Sequence, residues 1–580
     1  MGFWDKVYTY FYWLGKPLLK LFPNIPEHIR RSGIHVYYEV YASLAGLVFI
    51  ITSVFSLIML VVTVLVLKNL VVAAVLVVIP VVALLFAASL PALIASSRAS
   101  SIDSEFPFFS SYLSTMVMSG LSPYVAFERV LRGSSIFKRT SELVQRFVLL
   151  NRMLGKDPLS SFDELAKRTP SSKVRGVLSG YIATVKAGGD VADYLNKTTR
   201  LLFNEMLVGL KIIADRLGGL LESYLAMILL TMIAFTVMYF VTAGFAGAVP
   251  FGLSSEGMFF FLYIIAPLIS GAIIYVTDLL QYKDPYMDWK PYIVFLATFI
   301  PIFLFLSIIG IVFYISLPPY HPLKLNPLVQ LVGGFLTLFS AERLPGYSHT
   351  SIALSTALII ASLPGAAYYI YTVRQYRIVN GITRFLRDLV EIRKTGLSPE
   401  KSILELSTRD YGVFTPHLKK IAMQLSLGMP LRRIVWDVMK GVKSWVGQVF
   451  LFILTDSIEV GGGTIEVLDN LAWFAESFEA IESERKRSLR TLMIVPYIGG
   501  ILSAVTVVYM TSFMGNIAMQ SGAFSQAAGL VLPSIVINNY IMGVVAGKIS
   551  SGRVIAGVIH GILLTLATLA TLLVMPSLAG

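Results

Sequence analysis

The sequence predicts an all-α polytopic membrane protein, with about nine transmembrane helices and two homologous cytoplasmic helical-bundle modules. Of the 580 residues, 56% are hydrophobic and only 14% are charged, whereas soluble proteins average roughly 25% charged residues. Several uncharged apolar runs exceed the roughly 20 residues that a helix needs to cross a bilayer. Two long polar segments between these runs share a repeated helix-turn-helix motif.

The apolar runs define the order of membrane and polar segments along the chain. We predict spans at about 41–67, 70–95, 219–247, 258–279, 291–316, 350–372, 491–513, 527–547 and 554–577. The resulting segments are an N-terminal segment 1–40, spans one and two in 41–95, module one in 96–218, spans three to six in 219–372, module two in 373–490, and spans seven to nine in 491–580. The apolar stretch Leu328–Phe339 is too short to span, and the sequence leaves open whether it is embedded in the membrane.

The basic residues predict the orientation of these spans, because cytoplasmic segments carry an excess of Lys and Arg. With the N-terminus inside, 44 of the 47 basic residues lie on the cytoplasmic side, and only Lys68, Lys324 and Arg343 do not. We therefore expect a multi-pass protein of the cytoplasmic membrane with both modules in the cytoplasm. The odd number of spans places the C-terminus outside.

The sequence offers little material for catalysis, metal binding or cofactor binding. There is no cysteine, and the six histidines are scattered without metal-ligand spacing. The run Gly461-Gly462-Gly463-Thr464 lacks the lysine of a phosphate-binding loop. The basic patches lack the interleaved aromatic residues of nucleic-acid-binding surfaces. We therefore predict no enzymatic activity, no metal, no cofactor and no nucleic-acid partner.

The two modules repeat the same turn motif. Met118-Ser119-Gly120-Leu121-Ser122-Pro123 in module one corresponds to Lys394-Thr395-Gly396-Leu397-Ser398-Pro399 in module two. Glycine reaches the left-handed conformation that ends a helix. Serine caps the next helix, and proline fits its first turn without losing a hydrogen bond.

The correspondence extends over most of each module. Phe109 aligns with Phe385, and Leu154-Gly155 aligns with Leu427-Gly428. The glycine pairs Gly188-Gly189 and Gly462-Gly463 follow at nearly the same spacing. Asp190 and Thr464 each come before a long helix that runs towards the membrane, and we expect each residue to cap the helix that follows it. Equal spacing of several such points predicts a duplicated bundle of about six helices.

These motifs resemble the type II secretion system F domain family. Glu105-Phe106-Pro107-Phe108-Phe109 and the nine-span layout are similar to the archaeal members, which include the J component of the archaellum. The resemblance implies a platform protein that couples a hexameric secretion ATPase to the insertion of pilin-like subunits into a type IV filament. It also implies a homo-oligomer, a dimer or higher. The sequence does not distinguish an adhesive pilus from an archaellum.

Basic residues supply the candidates for the ATPase-docking surface. They are Arg129 and Arg132 in module one, and Arg384, Arg387, Arg393, Lys394, Lys419, Lys420, Arg432 and Arg433 in module two. The alternative is that these charges form solvated faces or attract anionic lipid headgroups. Module two has two such clusters and a charged helix leading into a span, so we expect it to carry more of the contact.

A secondary transporter or exporter with cytoplasmic regulatory domains is the main alternative function, and a membrane enzyme is a third. Transport pathways usually place charged residues inside the bundle. Here His560 is the one clear ionisable residue in the interior of a predicted span, and Asp278 lies near a span end. This composition disfavours both alternatives.

Overall fold

The computed structural model describes residues 3–34, 36–62, 70–244, 255–281, 288–318, 320–338, 348–517 and 522–579. Within these ranges the chain is almost entirely helical and forms no strand. The all-α prediction is therefore confirmed. The predicted exceptions Lys68 and Arg343 lie outside the described residues.

The described chain contains 23 α-helices and six short 3-10 or π segments. The α-helices are α1 Phe3–Leu21, α2 Ile25–Ser32, α3 Tyr38–Val62, α4 Leu70–Met118, α5 Pro123–Arg129, α6 Lys138–Val148, α7 Pro158–Arg168, α8 Ser172–Lys186, α9 Val191–Gly244, α10 Ser255–Phe260, α11 Ala266–Leu280, α12 Lys290–Leu306, α13 Pro327–Leu336, α14 His349–Tyr376, α15 Ile378–Arg393, α16 Pro399–Leu406, α17 Thr415–Ser426, α18 Leu431–Met439, α19 Trp445–Gly461, α20 Ile465–Leu492, α21 Ile494–Ile517, α22 Gly522–Ser551 and α23 Gly557–Ala579. The 3-10 segments are Val130–Gly133, Gly412–Phe414 and Val554–Ala556, and the π segments are Leu149–Met153, Phe261–Ile265 and Ser307–Ser316.

Among the described residues, nine helices are long and apolar enough to cross a membrane. They correspond one to one with the predicted spans. The described parts of these helices are Tyr38–Ile58, Ala83–Met118, Val191–Thr242, Ser255–Leu280, Lys290–Ser316, His349–Arg393, Ile465–Gly515, Phe524–Ser551 and Val554–Val574. Helix α13, with 10 residues, is shorter than a span.

Each module contributes six helices in the same order. In module one they are the C-terminal part of α4, then α5, α6, α7, α8 and α9; in module two they are α15 to α20. One difference lies at the module entrances: α4 continues unbroken from the second span into module one, whereas α14 and α15 are separate helices.

The chain divides into two compact units. The first comprises Met1–Leu202 with Leu451–Leu471, and the second comprises Phe203–Phe450 with Ala472–Gly580. The first unit therefore includes parts of α19 and α20, which lie in the predicted range of module two. This exchange reflects contacts between residues far apart in the chain, as described below.

An aromatic cluster forms the core of module one. Phe147 and Phe162 stack with ring centroids 4.3 Å apart, and Phe127 lies edge-on to both of them and to Phe109. All four rings are buried. Such rings bury large apolar areas, and their edge-to-face contacts add stability beyond that burial.

Close helix contacts organise the membrane part of the second unit. A Cβ on Gly547 would lie 2.2 Å from the Cα of Gly557, and a Cβ on Gly543 would lie 2.5 Å from the Cα of Gly561. Helices α22 and α23 therefore pack backbone against backbone through two Gly-xxx-Gly motifs. This is the arrangement that small residues allow between membrane helices.

Candidate functional site

The repeated turns have the backbone geometry that the motif requires. Gly120 has φ of 96° and Gly396 has φ of 90°, a conformation that a residue with a Cβ rarely adopts. Gly188, Gly462 and Gly463 also have positive φ values, of 67°, 65° and 58°. Helices thus end at matching places in the two modules.

The helices after the first turn begin with the predicted prolines but differ in their caps. Pro123 and Pro399 lie in the first turns of α5 and α16. The side chain of Ser398 accepts a hydrogen bond from the amide of Lys401 at 3.3 Å. Ser122 makes no such side-chain bond within the described part of the chain, so the predicted cap is formed in module two and not in module one.

The later glycine pair leads into the first stalk. We use the word stalk for the helices α9 and α20, which run from a module towards a membrane span. Asp190 caps α9 by accepting hydrogen bonds from the amides of Ala192 at 2.8 Å and Asp193 at 3.2 Å. Gly189 does not have positive φ; a Cβ there would lie 3.1 Å from Cγ2 of Thr184.

A carboxylate that sequence reasoning left without a role caps α6 from another helix. Glu105, on α4, is buried and accepts hydrogen bonds from the amides of Arg139 and Thr140, both at 2.9 Å. The hydroxyl of Thr140 donates to it at 3.1 Å. The residue at the N-cap of α6 is Phe137, which has no side-chain acceptor. That missing local cap was the signal available in the sequence.

Arg129 lies in an ion-pair cluster inside the first unit. Its Nε and Nη2 each donate to Asp456 at 2.8 Å, and the hydroxyl of Tyr112 donates to the same carboxylate at 2.7 Å. Glu459 lies 3.4 Å from Arg129 and 3.7 Å from Arg132. Burial lowers the pKa of Arg129, but the hydrogen bond and charge of Asp456 outweigh burial, so the pKa lies above its ordinary value.

This cluster changes the role of the predicted docking residues in module one. Asp456 belongs to α19 of module two and is 3% exposed, so the charge of Arg129 is used to join α5 to α19. Arg132 is more exposed but shares Glu459. Arg129 is therefore not part of an exposed docking surface.

The predicted docking residues Arg387, Arg393 and Lys394 of module two have partners within that module. Arg387 makes a two-pronged contact with the carboxylate of Glu476 on the stalk α20. Arg393 donates to the carbonyl of Leu397, inside the repeated turn. Lys394 forms a 2.8 Å bridge one turn back on its own helix. These contacts tie α15 to the stalk and fix the turn.

The remaining candidates lie on the outside of module two. Exposed basic side chains occur at Arg384, Lys419, Lys420 and Arg433, and Arg432 is partly exposed. Lys420 bridges to Asp437 at 2.8 Å and so joins α17 to α18. The hydrogen bond and charge of Lys420 hold the pKa of Asp437 below its usual value. The helical hairpin of α17 and α18 therefore presents most of the basic surface.

The same turn in each module exposes apolar side chains. Leu427 is 74% exposed at the tip of the α17–α18 hairpin, and Leu154 is 61% exposed at the corresponding turn of module one. Met423 and Met153 beside them are also exposed. Both turns contain a glycine with positive φ, Gly428 or Gly155, so the exposure follows from a shared backbone shape. Exposed apolar clusters of this kind often mark protein contacts.

The two stalks contact each other within the second unit. Phe203 of α9 stacks on Phe474 of α20 with ring centroids 5.5 Å apart. Closer to the membrane spans, Ala214 and Leu217 pack against Leu489 in one buried cluster. The stalks of module one and module two thus form a pair before their helices enter the membrane.

Two polar contacts lie in or near the membrane helices. Lys548 is buried, and its Nζ donates to Asp278 at 2.6 Å and to the carbonyl of Gly552 at 2.9 Å. His560 Nδ1 lies 2.7 Å from the hydroxyl of Tyr497, so this histidine is a hydrogen-bonded packing residue. Among the described residues, no group of three or more His, Asp and Glu could hold a metal ion.

The repeated modules and their stalks match a known protein family. The family model of type II secretion system protein F matches residues 109–239 and again residues 385–512. The chain carries two type II secretion system protein F domains. The resemblance predicted from the turn motifs is therefore confirmed.

The F-domain boundaries agree with the duplicated structure. The two matches begin at Phe109 and Phe385, which are both buried and which we had aligned. They end in α9 and α21, inside helices that can cross the membrane. Each F domain thus contains a helical module, its stalk and most of the following span. The family suggests a secretion or pilus platform role.

The chain also resembles an uncharacterized protein of Methanocaldococcus jannaschii. The two are 22% identical over 512 residues, which cover 82% of this chain and 80% of that protein. Because it covers 82% of this chain, the similarity includes the membrane segment between the F domains. No solved structure matches the chain at a significant level.

Proposed function

We propose that this protein is the platform of an archaeal type IV filament assembly machine, either a pilus or an archaellum. The observation that carries the proposal is that both F domains continue through a stalk into membrane helices. In this role the protein has no catalysis of its own. It couples a cytoplasmic hexameric ATPase to pilin-like subunits that enter the filament from the membrane.

The stalk pair supplies a route for mechanical coupling. Helix α9 is one element of 54 residues, and α20 is followed by α21 after a break at Met493. Leu217 and Leu489 pack in one buried cluster. A displacement of either stalk therefore exerts a force on the other stalk. A force applied to one module would then act on the membrane helices of both F domains.

Module two offers the better ATPase-docking surface. Arg384, Lys419 and Arg433 have exposed side chains and Arg432 a partly exposed one, whereas the side chain of Arg129 is only 15% exposed. Opposite charges across an interface raise the association rate and fix orientation. The exposed Leu427 adds an apolar contact beside the basic residues. We therefore expect an acidic rim on the ATPase, with an apolar recess, as the matching surface.

The membrane arrangement supports the remaining parts of the proposal. Lys and Arg concentrate in the segments that become cytoplasmic when the N-terminus is inside and the C-terminus outside. The relative comes from an archaeon and covers nearly the same length. A homo-oligomer, a dimer or higher, would match the symmetry of a hexameric motor.

Co-purification with the cognate ATPase tests the proposal. We expect the full-length wild-type protein to retain the ATPase, and the double variant Arg432→Glu/Arg433→Glu to retain at least tenfold less. Lys167→Glu/Arg168→Glu in module one is a matched control with two exposed basic residues, and it should retain the ATPase. Arg433, Lys167 and Arg168 are exposed, and substitutions at exposed positions usually change stability by less than about 0.5 kcal/mol.

Filament counts separate the platform from the transporter alternative. Deletion of the gene should abolish filaments, and the docking variant should reduce them while remaining in the membrane. If filaments persist in the deletion strain, the platform function is wrong. If wild type and docking variant retain equal ATPase, only the assignment of the docking surface is wrong.

A further inference from the structure

A surface cavity lies where the stalk α20 meets the membrane helix α21. Its volume is about 670 Å³, which is within the usual range for small-ligand sites. The cavity is lined by nine residues between Lys486 and Ile501, on both sides of the break at Met493. It lies entirely in the second unit.

The part of the cavity wall that α20 contributes is basic. Lys486, Arg487 and Arg490 occupy one face of the last turns of α20, and all three side chains are exposed. None of the described residues that line the cavity is acidic. The neighbouring Glu482 is engaged by Arg485 at 2.9 Å, so its charge is partly offset. Three cations therefore face one opening.

The part of the wall that α21 contributes is apolar and lies in a candidate membrane span. Ile494, Ile498 and Ile501 follow at the spacing of one helical face. Ile494 is 57% exposed and Ile498 is 61% exposed, although both line the cavity. An occupant must therefore combine a negative head with a long apolar tail along α21.

We propose that this cavity binds an anionic phospholipid from the leaflet next to module two. The headgroup phosphate lies among Lys486, Arg487 and Arg490, and an acyl chain follows Ile494 and Ile498. The bilayer itself supplies such a molecule at the depth where α21 begins, whereas an acidic protein segment would leave the apolar wall uncovered. Bound lipid would fix the angle between stalk and span, and with it the coupling of module two to the membrane.

Native mass spectrometry of the full-length protein, released from nanodiscs, measures this binding. The probe is phosphatidylglycerol, compared with phosphatidylcholine of the same chain length. Each basic residue near a membrane surface contributes about 1 kcal/mol to the attraction of anionic lipid, or roughly fivefold in binding. We expect Arg487→Gln/Arg490→Gln to lower retained phosphatidylglycerol about 25-fold and to leave phosphatidylcholine unchanged.

Three further arms make the test decisive. Lys211→Gln/Arg216→Gln removes two exposed basic residues from the other stalk, and we expect less than a twofold change. Ile498→Ser should lower phosphatidylglycerol retention without any change in charge. Soluble glycerophosphoglycerol, which has the headgroup but no acyl chain, should not displace the lipid.

Other outcomes would overturn the proposal. Equal loss in the two double variants would indicate a general surface charge effect. Displacement by the headgroup alone would indicate a phosphate site, and unchanged lipid with loss of a co-purifying protein would indicate a protein-docking surface.

Discussion

Arg129 and Asp456 are separated by 327 residues in the chain, yet they form an ion pair whose side chains are only 15% and 4% exposed. A charge that leaves water needs a partner with good geometry, because an unpaired buried charge is costly. Here the guanidinium makes two hydrogen bonds to the carboxylate, and Tyr112 provides a third. The pair therefore holds α19 against module one.

Substitution of Arg129 should destabilise the protein strongly. Arg129→Met leaves Asp456 buried without its cation, and breaking such a pair costs about 3–5 kcal/mol. The thermal unfolding temperature of the detergent-purified protein should fall clearly. The double variant Arg129→Met/Asp456→Leu should recover part of the loss, because no unpaired charge remains.

Arg132→Met is the matched control for this prediction. Arg132 is 42% exposed at its side chain, and its contact with Glu459 is 3.7 Å long. Exposed pairs contribute at most about 1 kcal/mol. Equal unfolding temperatures for the two single variants would show that the buried pair has no special importance.

Sequence reasoning placed Arg129 on a docking surface because basic residues in a polar segment are usually solvated. The partner that decides its role lies in the other module, and no local pattern reports such a contact. Glu105 illustrates an intermediate case. Its acceptor role depends on distant packing, but the absence of a polar N-cap before α6 could have indicated that a carboxylate was needed.

Helices α22 and α23 show how a sequence motif determines helix packing in the membrane. Gly543 and Gly547 on one helix face Gly561 and Gly557 on the other, so the two backbones touch. Backbone contact of this kind replaces the hydrophobic driving force that lipid does not provide. The nine spans were predictable from apolar length alone. The Gly-xxx-Gly motifs are also visible in the sequence, and the structure shows that they mark two closely packed helices.

A single methyl group should therefore separate these helices. Gly547→Ala would place a Cβ 2.2 Å from Gly557 Cα, and overpacking typically costs about 1–3 kcal/mol. Gly529→Ala is the control, because a Cβ at that position on the same helix meets nothing within 4 Å. Thermal unfolding in detergent should show a lower temperature for Gly547→Ala only. A shift of equal size in both variants would refute the close packing.

The contact between the stalks α9 and α20 requires both modules to lie on the same side of the membrane. Within the described part of the chain, four candidate membrane helices lie between the two modules. An even number returns the chain to the same side of the membrane, where α9 and α20 can meet. The duplicated modules and their helix order were predictable from the turn motifs. The sequence did not predict that residues 451–471 of module two belong to the first compact unit, because this depends on contacts between the modules.

Reporter fusions test the predicted orientation. Fusions after residues 150 and 430 should report the cytoplasm, and a fusion after residue 580 should report the outside. The physical reason is the concentration of 44 of the 47 Lys and Arg residues on one side of the predicted spans. A cytoplasmic signal at residue 580 would contradict the arrangement of nine spans.

The pairing of the stalks is the central claim, because the proposed coupling of the two F domains depends on it. The chain contains no cysteine, so thiol cross-linking of Phe203→Cys/Phe474→Cys in intact membranes tests it directly. The ring centroids of these residues are 5.5 Å apart. We predict an intramolecular link, identified by mass spectrometry of the joined peptides, while Phe203→Cys/Lys401→Cys stays unlinked. Absence of the link in the first variant, or equal linking in both, would contradict the paired stalks.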